Sequence, residues 1–205
     1  EDRISEALQV LRELGMPNEQ LNDRTAICLL ALLSIPPGKP WNEAENNLLG
    51  IRAILDFARE KLDIKYAENT RESIRKYSVK QLVSAGILVS NPDDPGRAVN
   101  SSNNCYQVEA NALELFRKNG SEEWKVSLEG FLKSRKTLIQ QYAKERERHL
   151  VSLKVKDDQQ IMLSPGAHSD LIKAIIQTFG PNYIPGGELI YVGDTGAKWG
   201  YFDSH

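Results

Sequence analysis

The chain has 205 residues, 40% of them hydrophobic and 26% charged, with a formal net charge of −2 at pH 7. This is the composition of an ordinary soluble globular protein of one large or two smaller domains, and it argues against a strongly basic nucleic-acid coat protein. No apolar run approaches the ~20 residues needed to cross a bilayer and no signal-peptide pattern opens the chain, so no membrane partner is expected, and two cysteines outside any CxxC pattern fit a reducing cytoplasm. Cys28 and Cys105 have no CxxC partner, and His149, His168 and His205 are too scattered for a histidine-based metal cluster.

Ile4, Ala7, Leu8 and Leu11 recur at helical spacing, and Gly15 and Pro17 end that helix. Arg24–Leu33 is almost wholly apolar, which predicts a buried central helix, and the PPGKP run at 36–40 is a loop. Leu48, Ile51, Ile54, Leu55, Ala58 and Leu62 mark one face of a third helix. A fourth starts with Asn69 as N-cap and Glu72 three residues later, close to a capping box, and runs to Ala85, where Gly86 supplies a left-handed terminus. Ile74, Tyr77, Leu82 and Val83 are expected to face the core. Arg71, Arg75, Lys76, Ser78 and Lys80 are left outside. Two short strands follow, Ile87–Ser90 and Cys105–Val108, around a turn-rich loop. A basic helix followed by a two-stranded wing is the order of a winged helix-turn-helix.

Glu109–Lys118 reads as a further helix, and Ser121 caps a long one to about Arg148, ~40 Å in length and able to connect two domains. Leu150–Val155 and Gln160–Leu163 read as a β-hairpin. Leu171, Ile172, Ile175, Ile176 and Phe179 give the helix Ala167–Phe179 one apolar face for packing on a sheet, and Leu189–Val192 is a strand. That strand has no evident partner, and an unpaired strand leaves its backbone polar groups unsatisfied. The expectation is that these residues are most of a protein whose C-terminal part, with most of its catalytic machinery, lies beyond them. Glu1 in place of a methionine suggests an incomplete N-terminus as well.

Between Arg71 and Lys80 four basic residues stand against one acidic, and between Lys133 and His149 six stand against two. A recognition helix needs an apolar back and an outer face that carries Arg, Lys, Ser or Asn into the major groove. Arg71, Arg75, Ser78 and Lys80 meet that need with Lys76 beside them, and Thr70 and Ser73 could donate to phosphates. Arg97 at the tip of the wing could touch the DNA backbone or minor groove. A solvated helix face or a protein–protein module uses the same residue types. In the later segment, His168 and Asp170 lie in the first turn of a helix, where an acidic residue is favoured by the helix dipole. Asp194 would project from the C-terminal edge of a strand, where α/β active sites gather, and a carboxylate there can hold Mg²⁺ for phosphodiester hydrolysis. An Asp-Thr-Gly turn also occurs in plain loops.

SPGAHSDLIKAIIQTF followed by PGGELIYVGDTGAKWGYFD resembles the BsuBI/PstI family of type II restriction endonucleases. ISEALQVLRELGMP, CLLALLSIPPGKPWNEA, YAENTRESIRKYSVKQLVSAGILVSNPDDPGRAVNS and YQVE look like that family's N-terminal helix-turn-helix domain. The resemblance implies a Mg²⁺-dependent endonuclease of the PD-(D/E)xK type that cuts duplex DNA at a palindromic hexamer, CTGCAG in the members that name the family. It implies an α+β protein: a helical winged helix-turn-helix domain at 1–118, a connecting helix at 119–149, and the start of an α/β nuclease domain at 150–205. Asp194 carries over as catalytic and metal-binding residue, with Lys198, His168 and Asp170 after it. The family's next acidic strands have no match, so the chain as it stands is not expected to cleave DNA. A palindromic target favours a two-fold homodimer. A non-enzymatic winged-helix regulator would explain the basic helix but not the GDTG strand. A phosphoesterase acting on small molecules would explain Asp194 but not the first 118 residues.

Overall fold

The computed structural model describes residues 2–98, 100–147, 150–155, 160–163, 166–187, 189, 191–193 and 198–200, with backbone alone at 137–147, 167, 193 and 198–200. The chain forms two compact units, 1–93 with 105–142 and 94–104 with 143–205.

The first unit is built around one helix. α1 (Arg3–Glu13) buries Ala7, Val10 and Leu11, and ends where Gly15 turns left-handed at φ 72° and Met16 N–H reaches back to the Leu11 carbonyl. α2 (Asp23–Leu33) is capped by Asn22, whose side chain accepts from Thr25 N–H at 3.1 Å. Every residue from Thr25 to Leu33 is buried, so α2 is surrounded on all sides. β1 (Leu49–Gly50) leads directly into α3 (Ile51–Leu62), which buries Ile51, Ile54 and Ala58. α4 (Thr70–Ile74), a wide π-helical turn (Arg75–Val79) and α5 (Lys80–Ser84) follow one another as a continuous helix.

Gly86, at φ 70°, turns the chain into β2 (Leu88–Ser90), which pairs antiparallel with β3 (Cys105–Val108). Asn91 closes this pair: its N–H donates to the Cys105 carbonyl at 2.8 Å and its side chain accepts from Cys105 N–H at 2.9 Å. β1 adds to the other edge of β3, Leu49 opposite Tyr106 and Gly50 opposite Cys105, so the sheet has three strands in the order β1-β3-β2. This corrects the two-stranded expectation. Leu49 and Gly50 lie within a stretch whose apolar spacing is helical, and only the distant partner strand makes them extended.

α6 (Ala110–Arg117) is capped by the Glu109 carboxylate on Ala112 N–H at 3.0 Å. Its Phe116 ring lies 6.3 Å from that of Trp41, and Arg117 forks onto the Ala44 carbonyl through Nε at 3.0 Å and Nη2 at 2.9 Å. α7 (Trp124–Glu147) docks its first turns on α1 through Trp124 Nε1, which donates to Glu13, and Arg135, which donates to the Leu14 carbonyl at 2.7 Å. Burial holds the Arg135 pKa below its ordinary value.

In the second unit, β4 (Val151–Lys154) and β5 (Gln160–Leu163) form the expected hairpin, with Val151 opposite Leu163. α8 (Ala167–Ala174) continues through a second π-helical turn (Ile175–Phe179) into α9 (Gly180–Tyr183). Ile172 and Ile176 pack with Leu153, Leu163 and Val192, whereas Leu171, Ile175 and Phe179 are exposed. The helix therefore buries a narrower stripe than its five apolar residues suggest. β6 (Tyr191–Gly193) pairs antiparallel with β7 (Lys198–Gly200), so the strand expected to lack a partner has one. Gly166, at φ 133°, sits so close to the 94–104 loop that an added Cβ would come within 2.9 Å of Ala98 Cβ. No helix among the described residues is long and apolar enough to cross a membrane.

Cys28 is fully buried in α2 and its thiol is pushed up to about 12 by that burial, opposed in part by Arg24. Native protein at pH 8 should yield one accessible thiol, Cys105, and a second only after denaturation. The unfolded chain ionises Cys28 near its ordinary value of 9.0 while the folded chain does not. Stability from this group is thus complete below pH 9 and falls as pH rises towards 12, which urea midpoints across that range would show.

Candidate nucleic-acid interface

The helix running from Thr70 to Ser84 docks by Ile74, Ser78, Val79 and Leu82, all buried. The spacing of these positions, four, then one, then three residues, reflects the wide turn at Arg75–Val79, where the backbone hydrogen bonds reach one residue further than in an α-helix. Two sequence expectations change places as a result. Ser78, expected outside, is 1% exposed, and its hydroxyl shares a 3.2 Å hydrogen bond with that of Thr25 in α2. Tyr77, expected in the core, is 52% exposed. The Ser78–Thr25 pair shows why the serine turns in, since a hydroxyl across the interface satisfies it. Ser78→Ala should cost about 1 kcal/mol of stability in a urea titration while leaving DNA affinity unchanged.

The remaining residues of the helix divide by what they touch. Arg71, Lys76 and Lys80 are exposed. The Lys76 ammonium stands 5.0 Å from the centroid of the Tyr77 ring. Ser73 donates its hydroxyl to the Thr70 carbonyl at 2.8 Å and both residues are half-buried, so that hydroxyl is already engaged within the helix. Arg75 is clasped by the Glu72 carboxylate through Nε at 2.9 Å and through Nη2. The same contact holds Glu72 below the usual carboxylate range and raises Arg75. Arg75 also acts on Tyr106 of β3, whose phenol is pushed up by burial and pulled back by the guanidinium. Glu72 therefore serves as partner to Arg75 and forms no capping box, because Asn69 is itself helical and makes no side-chain cap.

In the second unit, Arg97 donates to the Asn103 carbonyl at 3.0 Å and lies 3.6 Å from Asp94, so it braces the 94–104 loop from within. His168 and Asp170 are exposed in the first turn of α8. Lys198 opens β7 and pairs with Gly193 through the backbone. Asp194 lies outside the described residues. Among the described residues no group of three His, Cys, Asp or Glu side chains gathers to hold a metal ion, so they do not by themselves fit a divalent cation.

Sequence reasoning missed Tyr77 on the outer face. A four-residue spacing of Ile74, Ser78 and Leu82 places position 77 outside, but a 3.6-residue period admits Tyr77 on the buried face equally well, so spacing alone does not decide between them.

Residues 1–140 match the BsuBI/PstI restriction endonuclease HTH domain, and residues 151–205 match the BsuBI/PstI restriction endonuclease domain. The type II restriction enzyme BsuBI of Bacillus subtilis is 47% identical over 200 residues, covering 98% of this chain and 63% of the relative. The type II restriction enzyme AplI of Arthrospira platensis is 33% identical over 195 residues, covering 95% of this chain and 60% of that relative. Among solved structures, that of the SdaI restriction endonuclease superposes with a TM-score of 0.63 at 30% identity, covering 94% of this chain and 60% of that one. The chain thus spans about three-fifths of the length of these relatives. A helix-turn-helix unit with an exposed basic helix, followed by a unit matching the same family's nuclease domain, leaves one assignment: the chain belongs to the BsuBI/PstI restriction endonuclease family.

Proposed function

We propose that the protein is a type II restriction endonuclease that hydrolyses phosphodiester bonds of duplex DNA at a palindromic hexamer of the CTGCAG type. In this reading the first unit is a winged helix-turn-helix that reads DNA, and the second is part of a PD-(D/E)xK-type nuclease domain. The observation that carries it is the outward presentation of Arg71, Lys76 and Lys80 on a single helix whose back is anchored in the core, in a chain of this family. Phosphate contacts from Lys76 and Lys80 would set the register, and Arg71 would reach a base edge. Arg75, held by Glu72, would have to exchange that partner for DNA.

Asp194 is proposed as the acidic residue of the nuclease centre, with Lys198, His168 and Asp170 assigned to the same unit. Mg²⁺ belongs to the proposal through the family. A cytoplasmic homodimer, one active site per strand of a palindrome, completes the reading. Arg71→Ala should weaken binding to a CTGCAG duplex by about 1–3 kcal/mol in a fluorescence anisotropy titration and relax sequence preference. An unchanged affinity would remove this helix from base reading.

A further inference from the structure

The helix Thr70–Ser84 places a serine inside and a tyrosine outside at adjacent positions, Ser78 buried and Tyr77 half in solvent. Apolar transfer favours the reverse, because a phenol ring loses far more than a hydroxymethyl group by staying in water. The arrangement is produced by the π-helical turn, a geometry that recurs at functional positions. We infer that Tyr77 and Lys76 act as a pair that contacts the DNA backbone. The Tyr77 phenol would donate to a phosphate oxygen, and its ring would hold the Lys76 ammonium towards a phosphate. This rests on the proposed DNA-binding role of the helix and adds to it a residue that positions the helix without reading sequence.

The surroundings favour phosphate over an apolar partner. Ser73 lies four residues before Tyr77 and Lys80 three residues after, so the ring shares its helix face with polar and basic side chains rather than apolar ones. The 5.0 Å approach of the Lys76 ammonium to the ring centroid lies within cation–π range. A lysine held on a ring has fewer rotamers to lose when it meets a phosphate. A phenol is also among the side chains that commonly donate to phosphate oxygens.

The test is anisotropy titration of the 205-residue chain with a fluorescein-labelled CTGCAG duplex and with the same duplex carrying a scrambled hexamer. The proteins compared are the wild type, Tyr77→Phe, Tyr77→Ala, Lys76→Ala, Tyr77→Ala with Lys76→Ala, and Arg71→Ala. Far-UV melts of Tyr77→Ala should match the wild type, because the ring is exposed. Tyr77→Phe is expected to weaken binding several-fold and Tyr77→Ala about tenfold, equally on both duplexes. The double variant should lose less than the product of the two single losses, because each residue works through the other. Wild-type affinity in Tyr77→Ala, with Arg71→Ala still impaired, would overturn the inference and leave the DNA-reading role standing. A loss confined to the CTGCAG duplex would overturn the phosphate contact in favour of a base contact. Failure of the wild type to bind either duplex would remove the DNA-reading role itself, and the inference with it.

Discussion

Phe116→Ala is expected to lower the stability of the first unit by about 3–5 kcal/mol, to be read as a drop in the urea midpoint at constant slope. Phe116 is 0% exposed and heads the fully buried side chains by size. Its ring stands against Trp41, while the next residue, Arg117, ties the same helix to the Ala44 carbonyl. With α6 held there, the neighbours cannot collapse into the space the ring leaves, so the cavity cost adds to the lost transfer energy. Leu132, 38% exposed on α7, provides the contrast, and its replacement by alanine should cost well under that amount. DNA binding by Phe116→Ala should fall only as far as the folded population falls. The helix Thr70–Ser84 docks in the same core through Ile74 and Leu82.

In the full-length nuclease, on the role proposed for it, Asp194→Ala is expected to slow cleavage of a CTGCAG duplex in Mg²⁺-containing buffer by a factor on the order of 10³, with duplex affinity unchanged. The strand before it is well anchored. Val192 is buried with Leu153 and Leu163, and Gly193 pairs with Lys198 of the next strand. Undiminished cleavage by the variant would move the acidic role to another residue. Equal loss of binding and cleavage would mean that Asp194 supports the fold or the DNA complex instead.

Much of the architecture was legible because it follows from local rules. The apolar run at Arg24–Leu33 could only be a buried helix, the period-2 stretches on either side of 156–159 could pair only as a hairpin, and Gly15 and Gly86 stand where left-handed backbone ends a helix. What escaped was decided at long range. Leu49 and Gly50 are extended because β3 offers them an edge more than fifty residues away. Ser78 is buried because Thr25, 53 residues earlier, meets its hydroxyl. The wide turn that exchanges Tyr77 and Ser78 leaves no mark in composition, and a 3.6-residue period is compatible with either face at that point. On the site itself, the residue types pointed to the basic helix. They did not show that Glu72 clasps Arg75, that Ser73 is spent on Thr70, or that Arg97 braces its own loop. Each of these depends on a neighbour's rotamer rather than on spacing.

That this chain reads duplex DNA is the proposal on which the rest depends. Selection from a pool of duplexes with a randomised centre, followed by sequencing of those the wild-type chain retains, tests it most directly. Enrichment of a single palindromic hexamer of the CTGCAG type is expected, with retention that falls steeply as salt is raised. Retention without enrichment of any sequence, or no retention at low salt, would contradict it.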